Sequence, residues 1–66
     1  MQVLINGASR DFPNDHSVRD LVVDLGFADA AVAVEVNKRV VPRKQHETTS
    51  LHHGDVVEVV TLVGGG

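Results

Sequence analysis

Only one stretch of this chain spaces its apolar residues with the period of a helix, and that limits the possible folds more than any other feature. Val18, Leu21, Val22 and Leu25 fall at i, i+3, i+4 and i+7, one face of a helix of about two to three turns. Ser17 precedes them as a candidate N-cap, whose hydroxyl can accept from the amide of Asp20. Asp20 also sets a carboxylate in the electropositive first turn. Ser17-x-x-Asp20 is a short form of the capping box, with Asp in place of the longer Glu or Gln. Gly26 suits the left-handed residue that ends a helix, and Phe27 can fold back onto the last turn. One short helix cannot supply the crossovers of several parallel strand pairs, so a doubly wound sheet is excluded.

The remaining apolar segments read as strands. Val3 and Ile5 lie on one face of the first, with Gln2, Leu4 and Asn6 on the other. Asn6-Gly7 is a strong two-residue hairpin signal, because both positions tolerate positive φ. It predicts a return strand over Ala8 to Phe12, broken by Pro13-Asn14-Asp15. Ala31 to Asn37 alternates, with Val32, Val34 and Val36 facing one way, as in a half-buried strand. Asn37-Lys38-Arg39 reads as a turn, and Val40-Val41 as a short strand stopped by Pro42. Residues 43–52 are polar and irregular, with Leu51 their one large apolar anchor. His53-Gly54-Asp55 marks a tight turn before a last strand over residues 56–63. The helix is expected to lie across one side of a mixed sheet of about four or five strands. The first and last strands then pair in parallel at its centre, which is the α+β architecture of the β-grasp.

Val63-Gly64-Gly65-Gly66 follows that last strand with no linker. Glycine has nothing to pack in a sheet and loses the most entropy on ordering. The organisation expected is a domain over residues 1–63 and a flexible reactive tail over residues 64–66. A strip without Cβ atoms can enter a narrow enzyme channel, which makes the α-carboxyl of Gly66 the natural working group. Three glycines alone also fit a frayed terminus. At the end of a small strand-rich domain of this pattern they read as a functional tail. The last strand carries an oddity: with Val57 and Val59 facing the helix, Val56, Glu58, Val60 and Leu62 face the other way. A half-exposed strand is expected to alternate with polar residues, so this apolar strip reads as a docking surface beside the tail. The candidate docking residues are Val56, Val60, Leu62 and Val63.

Composition narrows the function further. Sixty-six residues make one small domain. There is no cysteine, hence no disulfide framework, thiolate metal site or cysteine nucleophile. No apolar stretch is long enough to span a membrane and no signal-peptide pattern opens the chain, so a cytoplasmic protein is expected. The net charge of −3 argues against a nucleic-acid binder, and Phe12 and Phe27 alone make no stacking platform. Charge is unevenly placed. Residues 1–36 balance to −4, with six acids against Arg10 and Arg19, while residues 37–66 balance to +1. The cluster Lys38, Arg39, Arg43 and Lys44 reads either as a solvated turn or as a partner-facing surface.

The pattern as a whole resembles the ThiS family, the bacterial sulfur carriers of thiamine biosynthesis. The resemblance spans essentially the whole chain. It rests on Asn6-Gly7, Ser17-Val18-x-x-Leu21, Val34-Glu35-Val36-Asn37, Val40-Val41-Pro42-Arg43, Gly54-Asp55-x-Val57-Glu58 and the glycine tail. The stretch from Ala33 to Arg43 with Gly54-Asp55 is its most specific part; other ubiquitin-like proteins share the tail. The resemblance implies that Gly65 and Gly66 carry the functional glycine pair, with Gly64 as an extra glycine. It implies a ThiF-type adenylyltransferase that consumes ATP to activate the Gly66 carboxylate, and sulfur from a cysteine desulfurase pathway that yields a thiocarboxylate. It further implies a ThiG-type thiazole synthase as the acceptor. The carrier itself would bind no cofactor, would be a substrate of enzymes rather than an enzyme, and would be a monomer when free.

Other site readings are weaker. His52 and His53 diverge in an extended segment, and His16 and His46 fall in separate loops, so surface roles are expected and no metal site. Ser17 is explained as a cap, and no acid is paired with a base or nucleophile in a recognisable arrangement. Three further functions remain: a molybdopterin-synthase small subunit with the same terminal chemistry, a non-catalytic β-grasp binding module, and a covalent protein modifier.

Overall fold

The computed structural model describes residues 1–62. Its elements are β1 (Gln2–Ile5), β2 (Ala8–Asp11), α1 (Val18–Asp24), β3 (Val32–Val36), β4 (Arg39–Val41), a 3-10 turn (Arg43–Gln45) and β5 (Val56–Thr61). The strands form one sheet in the order β2-β1-β5-β3-β4. β5 runs parallel to β1 and antiparallel to β3, as the sequence predicts for a β-grasp.

Local chemistry explains most boundaries. Asn6 and Gly7 take φ of 49° and 86°, and Ile5 pairs with Ala8, so the first hairpin closes through a two-residue turn. The capping box at α1 is complete. The Asp20 amide donates to Ser17 Oγ and the Ser17 amide donates to Asp20 Oδ2, both at 3.0 Å. The short Asp therefore reaches as far as the box requires. These contacts, the Ser17 backbone amide foremost, hold the Asp20 carboxyl below its ordinary value. At the other end Gly26 has φ 86°. The Gly26 amide donates to the Val23 carbonyl and the Phe27 amide to the Val22 carbonyl, both at 3.0 Å, a Schellman closure.

The core lies between α1 and the sheet. Val3, Ile5, Val34, Val57 and Val59 come from the strands, Val18, Leu21 and Val22 from the helix, and Phe12 and Leu51 from the connections. Alternation in β1 and β5 puts these residues on the helix side and leaves the opposite face open. Burying each large apolar side chain fully contributes roughly 1.5–3 kcal/mol before entropy is counted. No helix among the described residues is long and apolar enough to cross a membrane.

Three expectations change. The second hairpin turns on Asn37 and Lys38 alone, at φ 52° and 69°, so Arg39 belongs to β4 and pairs with Val36. A left-handed lysine carries a steric cost that glycine would avoid, which is why this turn has no clear signature. The segment after Pro42 is not wholly irregular: a 3-10 turn opens it, and its end is tied to the helix start. The Val18 amide donates to the Thr49 carbonyl and the Arg19 amide to the His46 carbonyl, each at 2.9 Å. These bonds satisfy amides that the first helical turn leaves without partners. Finally, His46 is not a surface residue. It is 6% exposed, and its Nε2 donates to the Val41 carbonyl at 3.1 Å, latching the 3-10 turn to β4.

Candidate functional site

The strand that leads to the glycine tail is held on both sides by the polar ends of the two hairpins. β1 stops at Ile5, opposite Val57, before β5 is finished. Asn6 continues the ladder with its side chain. Asn6 Nδ2 donates to the Val59 carbonyl at 3.1 Å and Oδ1 accepts the Val59 amide at 2.9 Å. Asn37 holds the start of β5 through one backbone and one side-chain group. Its Oδ1 accepts the Val56 amide at 2.9 Å and its Nδ2 donates to Asp55 Oδ1 at 3.0 Å. Both asparagines read as turn residues in sequence, and no local signal reveals the second role. A primary amide carries one donor and one acceptor side by side, as a peptide group does, so it can replace a missing backbone partner.

The last described tie before the tail is the Leu62 amide, which donates to the Ala31 carbonyl at 2.8 Å. Val63, Gly64, Gly65 and Gly66, the predicted tail and reactive terminus, lie outside the described residues.

The outer face of the sheet is open where the alternation predicts. Val56, Val60 and Leu62 are 46%, 57% and 54% exposed. Leu4, 38% exposed, sits beside Val56 across the parallel pair, and Ala33 sits beside Val60. Leu4 therefore belongs with the three described docking candidates; its place opposite Val3 and Ile5 in the alternation is the signal that finds it. Beside this strip Glu35 and Glu58 face each other directly across β3 and β5. Like charges in opposed cross-strand positions repel. Neither carboxylate forms an ion pair among the described residues.

The other polar groups are absorbed locally. His16 Nε2 pairs with Asp24 Oδ2 at 2.6 Å, and the ring stacks on Phe12 with centroids 5.2 Å apart. The Gln2 amide donates to His53 Nδ1 at 3.0 Å. Among the described residues no three metal-capable side chains converge. The Ser17 hydroxyl is engaged as the helix cap.

Known proteins match both the sequence and this arrangement. The model of the ThiS family matches residues 3–66. A thiazole synthase of Paramagnetospirillum magneticum is 36% identical over all 66 residues, which cover 20% of its length. A second thiazole synthase, from Magnetococcus marinus, matches likewise, so the chain spans about a fifth of these relatives. The sulfur carrier protein ThiS of Escherichia coli is 27% identical, with both chains covered completely. The crystal structure of the thiamine biosynthesis protein ThiS from Geobacter metallireducens superposes with a TM-score of 0.84, at 32% identity over 100% of both chains. The β-grasp sheet, the open strip on β5 and a match that runs the length of the sequence into the glycines lead to one conclusion: the chain belongs to the ThiS family.

Proposed function

We propose that this chain is a sulfur carrier of thiamine biosynthesis and that its reacting group is the carboxylate of Gly66. The observation that carries the reading is the family match, which runs from residue 3 through Gly66. In this reading residues 1–63 form the docking domain and residues 64–66 the reactive tail. A ThiF-type adenylyltransferase joins the carboxylate to ATP as an acyl-adenylate and releases pyrophosphate. A sulfide equivalent from the cysteine desulfurase pathway then displaces AMP and leaves a thiocarboxylate. Activation is needed because a carboxylate is a poor acyl electrophile and AMP is a good leaving group. A ThiG-type thiazole synthase takes up the sulfur. The two thiazole synthases that align with this whole chain over a fifth of their length support that acceptor. The chain binds no cofactor, supplies no catalytic side chain and is acted on as a substrate.

Docking falls to the outer face. Val56, Val60 and Leu62 offer exposed apolar area along and just past the strand that precedes the tail in sequence, with Val63 as the next candidate. The opposed Glu35 and Glu58 carboxylates suit a partner that brings a guanidinium or ammonium group to the same face. Incubation with ATP, a ThiF-type enzyme and a sulfur source, followed by intact mass measurement, tests the reading. One oxygen exchanged for one sulfur at Gly66 is expected. An unchanged mass, with the enzyme active on another carrier, would overturn it.

A further inference from the structure

On the helix side of the sheet, away from the apolar strip, a cleft of about 480 Å³ opens between α1, the loop after it and the 3-10 turn. That is within the size range of small-ligand sites. Arg19, Arg43 and Lys44 line it, together with His46, Asp29 and Glu47. None of the three cations forms an ion pair among the described residues, although the chain carries more acids than bases.

Two of the lining groups are already oriented. Arg19 Nη1 donates to the Ala28 carbonyl at 3.2 Å, which tethers the guanidinium and leaves its other donors without a partner among the described residues. His46 is more than nine-tenths buried, and a carbonyl oxygen can only accept, so its Nε2 carries the proton donated to Val41. His46 Nδ1 then has no partner among the described residues. No buried side-chain nitrogen or oxygen is left unpaired, so Nδ1 reaches solvent. The site thus presents two guanidinium forks and one ammonium.

We propose that this cleft binds the phosphate group of a small phosphorylated molecule. Guanidinium forks match the paired oxygens of a phosphate. The three cations outnumber the two carboxylates of the lining, so the cleft as a whole favours an anion. Asp29 and Glu47 oppose any anion, so they set a modest affinity and disfavour unspecific binding. The proposal stands on the cleft alone and does not depend on the sulfur-carrier reading.

The test is a titration of the full chain with inorganic phosphate at neutral pH and constant ionic strength, followed by amide and imidazole NMR shifts. Saturable shifts confined to Arg19, Arg43, Lys44 and His46 are expected. In Arg43→Ala/Lys44→Ala, whose side chains form no ion pair among the described residues, phosphate binding should fall at least tenfold with the melting temperature unchanged. Asp29→Asn/Glu47→Gln should tighten it about threefold. Shifts that do not saturate, or that persist in the double alanine variant, would overturn the proposal. So would an acidic peptide that saturates the cleft where phosphate does not, since it would assign the cleft to a protein segment.

Discussion

The two faces of the sheet are built from the same kind of residue and serve opposite ends. On the helix side Val57 and Val59 are buried in one core with Leu21 and Val22. One residue along in either direction, Val56 and Val60 stand open to solvent. Alternation along a strand sends successive side chains to opposite faces, so valines on both faces of one strand cannot all be core in a sheet with a single helix. The helix-side set stabilises the fold. The open set contributes little to the free chain, and the opposed Glu35 and Glu58 beside it work against stability. A surface that is apolar and self-repelling when free is suited to being covered.

This contrast is broken most directly from the inside. Leu21→Ala should destabilise by about 2–5 kcal/mol, read from the denaturation midpoint. A change under about 1 kcal/mol would take Leu21 out of the core. Between the faces, in the plane of the sheet, Asn6→Ala removes both bonds to Val59 and places a Cβ-bearing residue without a local partner at positive φ. A loss of about 2 kcal/mol is expected, with faster amide exchange at Val59. Retained protection there would mean that the amide clamp is dispensable. Ser17→Ala should cost about 1 kcal/mol through the cap.

The companion change Asp20→Asn is a pH experiment. The carboxyl of Asp20 is held below its ordinary value in the folded chain, so its contribution is present above the unfolded value of about 3.9 and fades as pH falls through the folded one. The wild type should lose that increment in acid while the variant shows a flatter profile. Identical profiles would assign acid sensitivity to other carboxylates.

The smallest effects belong to the open face and sharpen the comparison by their direction. Leu62→Asp should leave stability within about 0.5 kcal/mol and abolish capture by an adenylyltransferase partner. Glu58→Gln should stabilise the free chain by a few tenths of a kcal/mol, about the strength of one cross-strand repulsion, and weaken partner binding. Parallel losses of folding and binding in Leu62→Asp would make Leu62 structural.

Most of the fold was legible because its signals are local. Asn6-Gly7, Ser17 with Asp20, Gly26 and the Val32-Val34-Val36 alternation each act within a few residues, and each element lies where those residues put it. The openness of Val56, Val60 and Leu62 followed from the same alternation. The signals that failed are those that depend on distant neighbours. Nothing near Asn37 marks a turn through a left-handed lysine, because pairing of β3 with β4 imposes it. His46 looks like any loop histidine until Val41 and Arg19 arrive around its side chain and backbone. The second role of Asn6 is written in Val59, more than fifty residues away.

The position of β5 also sets an order of events. Among the described residues it is the last strand in chain order and the middle strand of the sheet, so β1 and β3 have no common partner until it arrives. A chain emerging from the ribosome can close its first hairpin and turn its helix, but it cannot join the two halves of the sheet. Truncation before Val56 leaves the β2-β1 and β3-β4 pairs with no strand to join them. Contacts of such long sequence separation are slow to form. The strand with the exposed Val56 and Val60 is therefore also the strand whose arrival completes the sheet.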